Sequence, residues 1–184
     1  RYVSYYSDKN MFDKLFGHSV MPRTIFRKMH GFFYDKDYQR IDLNNDEQLN
    51  SILNTSGCNK IVIKPTVDSG SGNNVRLFQK ENNLWTEIGT DSQLNLNYLD
   101  HKYGDDIIIQ ECLEQAEFMS YYNPTSVNTL RLTLYRSVVT DECHIPSAII
   151  RIGKDGSLID NAHAGGGYVG IKEDGTLCNH VLNQ

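Results

Sequence analysis

The sequence predicts an α+β protein built on antiparallel sheets, and three observations carry that prediction. Short runs of β-branched residues recur along the chain, turn residues separate consecutive runs, and few stretches show helical spacing. The 184 residues suffice for one ordinary domain or for two small lobes with a shared core. A hydrophobic share of 39% and a charged share of 22% make the chain too apolar to be a disordered segment.

The elements follow in order. Residues 8–18 place Met11, Phe12, Leu15 and Phe16 at helical spacing, with Ser7 or Asp8 as cap and Gly17 as terminator. Pro22 opens an extended stretch through Arg27, and Gly31 through Tyr34 reads as a strand before the turn Asp35-Lys36-Asp37. Residues 46–54 predict a short helix with Leu49, Ile52 and Leu53 inward. Ile61-Val62-Ile63 is a buried strand that Pro65 ends, because proline cannot donate to a ladder. A small-residue loop leads to a strand at Val75 through Gln79; Trp85 is expected near a turn, and residues 91–100 as a short helix. Ile107 through Leu113 is a buried strand. Thr129 through Ser137 alternates Leu130, Leu132 and Leu134 with polar neighbours, the pattern of a half-buried strand. Ile145 through Gly153 and Tyr168 through Lys172 complete the set, each beside a turn (Lys154-Asp155-Gly156, Glu173-Asp174-Gly175).

Charge and composition exclude several classes. The formal charge of −5 and the lack of any basic run disfavour a nucleic-acid surface, which needs clustered Lys and Arg. The longest apolar runs fall far short of the ~20 residues that cross a bilayer, so no membrane span is expected. The start at Arg1 has no apolar signal region and no Met, as in a piece of a longer chain. Cys58, Cys112, Cys143 and Cys178 form no CxxC pair and no zinc-module spacing; they read as reduced thiols in a cytoplasmic protein.

The strongest chemical signal is Lys64-Pro65 followed by Ser69-Gly70-Ser71-Gly72-Asn73-Asn74. Small residues leave backbone N–H groups open to a phosphate chain, and a lysine at the strand end adds charge. It is not a P-loop, since no Gly-Lys-Ser/Thr is present. Gly70-x-Gly72 lacks the third glycine of the dinucleotide fingerprint, and a strand follows it rather than a helix. The lysine precedes the loop and no His-Arg-Asp or Asp-Phe-Gly follows, which excludes a protein kinase. The plain alternative is a flexible hairpin turn.

With these residues the chain resembles the ATP-grasp superfamily, where a strand-end lysine precedes a mobile glycine loop that closes over ATP. Asp8-Lys9 resembles the upstream pair whose lysine approaches the phosphates. Ile109-Gln110-Glu111-Cys112-Leu113 resembles the hinge strand, where the backbone of Glu111 and Leu113 would pair with adenine. Asn128-Thr129-Leu130-Arg131, then Ile150-Arg151-Ile152-Gly153, then Asp160-Asn161-Ala162-His163-Ala164-Gly165-Gly166-Gly167 look most like the sugar-transfer-associated branch, which is linked to polysaccharide assembly. The resemblance runs from Asp8 to about Asp174, and five motifs, the last two segments counting as one, stand in the family's order.

The resemblance implies a nucleotide cleft between two lobes, residues 1–113 with the glycine loop and hinge, and residues 114–184 as a partial C-terminal lobe. Lys9, Lys64, Ser69, Gly70, Ser71 and Gly72 would hold ATP. Arg131 and Arg151 would steady an acylphosphate formed from a carboxylate before transfer to an amine or hydroxyl, on a sugar or amino sugar for instance. Asn128, Asn161, His163, Gly165 and Gly166 would lie near substrate. Mg2+ is implied, but the family's late Asp and Glu-x-Asn ligands do not occur before Gln184, so a C-terminally incomplete fragment is expected. Asp160 and Asn161, if adjacent on a strand, would point to opposite faces and make poor substitutes. Two other readings stay open: a non-catalytic nucleotide-binding or scaffold domain in a polysaccharide-assembly system, and a plain structural domain with a mobile loop.

Overall fold

The computed structural model describes residues 7–16, 21–67, 72–161 and 165–183. The chain divides into two compact units, Arg1–Cys112 and Leu113–Gln184. The first contains α1 (Lys9–Phe16), β1 (Thr24–Met29), β2 (Phe32–Asp35), α2 (Asp46–Thr55), β3 (Lys60–Pro65), β4 (Arg76–Glu81), β5 (Leu84–Glu87), α3 (Leu96–Tyr103) and β6 (Ile107–Glu111). Among the described residues its strands form one antiparallel sheet in the order β2-β1-β6-β3-β4-β5.

The two faces of this sheet are different in kind. Phe26, Ile61, Ile63, Phe78, Trp85, Ile107 and Ile109 join Leu49 and Leu53 of α2 and Leu99 of α3 in one buried core. Alternation along the strands then sends Arg27, Ile108, Val62, Lys64 and Gln110 to the opposite face. There the cross-strand register aligns Arg27 of β1, Ile108 of β6 and Lys64 of β3 in a single row. Helix α1 packs on this second face, as its contacts with Arg27 and Thr66 show.

Local sequence explains the helix starts. Asn45 accepts the Gln48 N–H at 2.9 Å ahead of α2, and Asn95 accepts the Tyr98 N–H at 2.7 Å ahead of α3. The cap at Asn95 is why α3 begins later than residue 91; the preceding run instead bridges Gln93 to Thr86. Trp85 stands near a turn, as expected, just past Asn82-Asn83. It lies within β5, 1% exposed, in the core.

Helix α1 forms where predicted, but its inward face does not match the apolar spacing. Asn10 and Asp13 are its buried residues, while Leu15 and Phe16 are 56% and 44% exposed. The cause is the surface it meets: the sheet presents the Arg27 guanidinium there, and a carboxylate one turn along the helix answers it. Asp8 receives the Asn10 N–H at 2.9 Å as cap; the proposed terminator, Gly17, lies outside the described residues.

The second unit contains α4 (Glu117–Ser120), β7 (Thr129–Arg136), β8 (Cys143–Ile152), β9 (Gly167–Ile171) and β10 (Leu177–Asn183). Its strands form an antiparallel sheet in the order β10-β9-β8-β7. Neither α4 nor β10 is visible in the sequence pattern, since Cys178-Asn179-His180 interrupts any apolar run. Strand β7 is not half-buried: Leu130, Leu132 and Leu134 are 55%, 45% and 69% exposed. Alternation states which residues share a side; it does not state that the side is covered. Asp160 and Asn161 also depart from expectation, lying in an irregular stretch rather than on a strand.

Candidate functional site

Lys64 is the penultimate residue of β3, and its half-buried ammonium donates to Gln110 Oε1 at 3.2 Å. Gln110 is held in that orientation because its Nε2 donates to Pro22 O at 3.1 Å and to Thr24 Oγ1 at 3.4 Å. Burial holds the Lys64 ammonium below the ordinary lysine range, and the charge of Lys9 pushes in the same direction against a smaller opposing effect of Cys112. Lys9 is itself lowered by burial, partly offset by Asp8.

The two lysines come together because the start of α1 docks at the end of β3. The Lys9 N–H donates to Thr66 O at 3.1 Å, and the Thr66 N–H donates in turn to Asp106 O at 3.1 Å. Two partly desolvated ammonium groups that repel one another make a site that an anion would stabilise. The described residues run to 67 and continue from Gly72, whose φ of 75° and whose carbonyl, bonded to the Val75 N–H at 3.2 Å, form the turn into β4. Ser69, Gly70 and Ser71 lie outside the described residues.

At the far end of β6, Glu111 is clamped. Its carboxylate accepts the Arg23 N–H at 2.9 Å and Arg23 Nε at 3.1 Å, while its own N–H donates to Arg23 O at 2.9 Å. Arg23 also reaches Ser56 O at 2.9 Å and Cys58 Sγ at 3.1 Å. Cys112 N–H donates to Lys60 O at 3.1 Å, and Leu113 is 50% exposed.

In the second unit Arg131 and Arg151 share one face of the sheet. Arg131 pairs in register with Ile149, two residues from Arg151, and Thr129, Ser147 and Tyr168 stand on that same face. Arg131 is exposed and makes no ion pair among the described residues. Arg151 is tethered: its Nη2 lies 3.5 Å from Asp160 Oδ1 and 3.3 Å from Asp160 O, and Asp160 also accepts the Thr129 hydroxyl.

The remaining site candidates serve the backbone. Asn128 donates to Met119 O and Asn123 O, both at 2.9 Å, and accepts from Ser126 Oγ at 2.9 Å and the Gly153 N–H at 3.2 Å. Its side-chain bonding capacity is thereby filled by the protein. The buried Asn161 offers its carbonyl to the Gly166 N–H at 3.1 Å. Gly166 is confined, since a Cβ there would lie 2.7 Å from Ile152 O and 2.9 Å from Asn161 O. Gly165 has a φ of 87°, and His163 lies outside the described residues.

Sequence reasoning passed over Gln110, Arg23 and Asp13. Gln110 was within reach, as a polar residue in an apolar strand on the same side as Lys64. Arg23 and Asp13 act through partners distant along the chain, which no local pattern announces.

The model of the family described as sugar-transfer associated ATP-grasp matches residues 2–184. The chain belongs to this ATP-grasp family. No curated protein and no solved structure matches it in the same comparisons. For an ATP-grasp chain the lysine pair fits a polyphosphate, the group that its charge and partial desolvation favour. Magnesium is a different matter. Among the described residues no cluster of three His, Cys, Asp or Glu side chains could hold a metal ion, and Asp160 is already engaged by Arg151 and Thr129. These residues do not fit the cation. No described helix is long and apolar enough to cross a membrane.

Proposed function

We propose that this ATP-grasp chain binds ATP through Lys9 and Lys64 and serves the activation of a carboxylate for transfer to an amine or hydroxyl acceptor, in the assembly of a sugar polymer. The observation that carries the reading is the lysine pair, supplied by two elements far apart in sequence and juxtaposed at the base of the glycine loop. Ser69, Gly70, Ser71 and Gly72 would bind the phosphates, and the backbone of Glu111 and Leu113 would receive adenine.

The chemistry balances without a redox partner. A carboxylate oxygen attacks the γ-phosphorus of ATP, the bond to the β,γ-bridging oxygen breaks, and ADP leaves with that electron pair. The acceptor then adds to the carbonyl carbon of the acylphosphate, inorganic phosphate departs, and the acceptor's proton passes to solvent. Such a transfer is served by positioning and charge neutralisation more than by covalent help from the protein. The arginine face of the second unit, Arg131 with Arg151, has the chemistry to hold the acylphosphate, since guanidinium forks match phosphate and carboxylate.

Hydroxylamine trapping tests the reading. The intact protein, given ATP, magnesium and a panel of sugar acids and amino acids, should form a hydroxamate with at least one acid in step with ADP release. ATP binding without any ADP or hydroxamate would favour the non-catalytic scaffold role instead.

A further inference from the structure

Helix α1 buries the wrong residues for a helix held by hydrophobic contact. Its inward side chains are Asn10 at 1% and Asp13 at 3% exposure. The Asp13 carboxylate meets Arg27 Nη2 at 2.8 Å, with both side chains all but excluded from solvent. Tyr38 closes the group from the turn after β2: its ring lies 3.8 Å from the Arg27 guanidinium carbon. Its hydroxyl donates to Asn10 O at 2.6 Å and also lies 3.3 Å from Asp13 Oδ2. Arg27 Nη2 further donates to Lys36 O at 3.2 Å.

This arrangement is expensive as a source of stability. A buried ion pair repays its desolvation only with full hydrogen bonding. Here Arg27 Nε and Nη1, Asp13 Oδ1 and both amide atoms of Asn10 are buried without a partner among the described residues. Apolar residues at the same positions would hold the helix at least as firmly. What the polar group supplies is direction. Hydrophobic packing tolerates a helix that turns or slides, whereas an ion pair with a stacked tyrosine accepts one register.

The register matters because of what stands at the other end of the same row. Arg27, Ile108 and Lys64 are aligned across β1, β6 and β3, so two strand spacings of about 4.8 Å separate the arginine from the lysine. Helix α1 bridges that span, with Asp13 on Arg27 and, about 6 Å earlier along its axis, Lys9 beside Thr66 and Lys64. A slip of one residue would turn Lys9 by about 100° away from the site.

We propose that Asp13, Arg27 and Tyr38 are positioning residues that fix α1 in register and so aim Lys9 at the phosphates of a bound nucleotide. The proposal rests on the phosphate-binding reading of Lys9 and Lys64, and the test separates the two. ATP affinity is measured calorimetrically for wild type, Lys9→Ala, Tyr38→Phe and the double variant. Lys9→Ala should weaken binding at least tenfold, Tyr38→Phe several-fold, and the pair no more than Lys9→Ala alone, because an unaimed lysine has nothing left to lose. Losses that simply multiply would overturn the positioning role while leaving Lys9 a phosphate ligand. An unchanged affinity in Lys9→Ala would instead overturn the phosphate reading, and the anchor's role in binding with it. A nucleotide-free readout is the titration of the Lys9 side chain by carbon NMR, which Tyr38→Phe should move up towards the ordinary lysine range. An unmoved titration also refutes the proposal. Asp13→Asn, where it folds, should reproduce the non-multiplying loss of affinity.

Discussion

Lys64→Met separates binding from stability most directly. Methionine keeps the apolar stem of lysine and removes the ammonium, with its charge and its hydrogen bond to Gln110, so packing against β6 is retained. The substitution also relieves the repulsion between Lys9 and Lys64 and the burial penalty on the ammonium. Folding stability should therefore change little, this relief being set against the lost Gln110 hydrogen bond. For binding, an ammonium about 4 Å from a phosphate oxygen gains about 4 kcal/mol at an effective dielectric constant near 20. Giving up the Gln110 hydrogen bond sets about 1 kcal/mol against it, and solvent screening trims the rest. The net loss in Lys64→Met should be about 1.5–3 kcal/mol, or about 10- to 100-fold in Kd. Isothermal titration with ATP, paired with a thermal melt of the same sample, reads both quantities. Unchanged affinity, or a loss matched by an equal fall in stability, would refute the reasoning and leave Lys64 a structural partner of Gln110.

Other predictions concern charge and space. Both lysines titrate below the ordinary range, so between their lowered values and that range the unfolded chain binds more protons than the folded one. Their contribution to stability should rise with pH across this window while ATP affinity falls across it; melts and titrations at stepped alkaline pH that trend together would contradict this. Arg131→Ala should leave the folding stability nearly unchanged in a thermal melt, within about 0.5 kcal/mol, because the side chain is exposed and makes no ion pair among the described residues. Hydroxamate formation by that variant should fall about a hundredfold, and full activity would remove Arg131 from the reaction. Arg151→Ala should lower both activity and stability, since its ties to Asp160 are lost. Gly166→Ala should destabilise by about 1–3 kcal/mol in urea unfolding, as its Cβ would press on three backbone oxygens.

Much of the organisation was legible in the sequence. Ile61-Val62-Ile63 ended by Pro65, the Gly72 turn and the strand resuming before Leu77 specify a β–loop–β unit because local propensity and turn chemistry act within a few residues. The caps at Asn45 and Asn95 act over the same range, although only the structure shows that the second delays α3. The ordered motifs around Lys64, Glu111, Arg131 and Arg151 were enough to place the chain in its family.

Tertiary structure decided the rest, wherever a residue answers a partner far along the chain. The apolar spacing of Met11, Phe12, Leu15 and Phe16 suggested one face of α1, but the buried face is Asn10 and Asp13, because Arg27 of a later strand lies beneath it. The partners in the meeting of Lys9 with Lys64, the hold of Gln110 on Lys64 and the Arg23 clamp on Glu111 are separated by 55, 46 and 88 positions, and only strand register and the docking of α1 on the sheet bring them together. Leucines alternating along β7 named a side without saying whether anything covers it, since periodicity records the geometry of one strand while burial is a property of its neighbours.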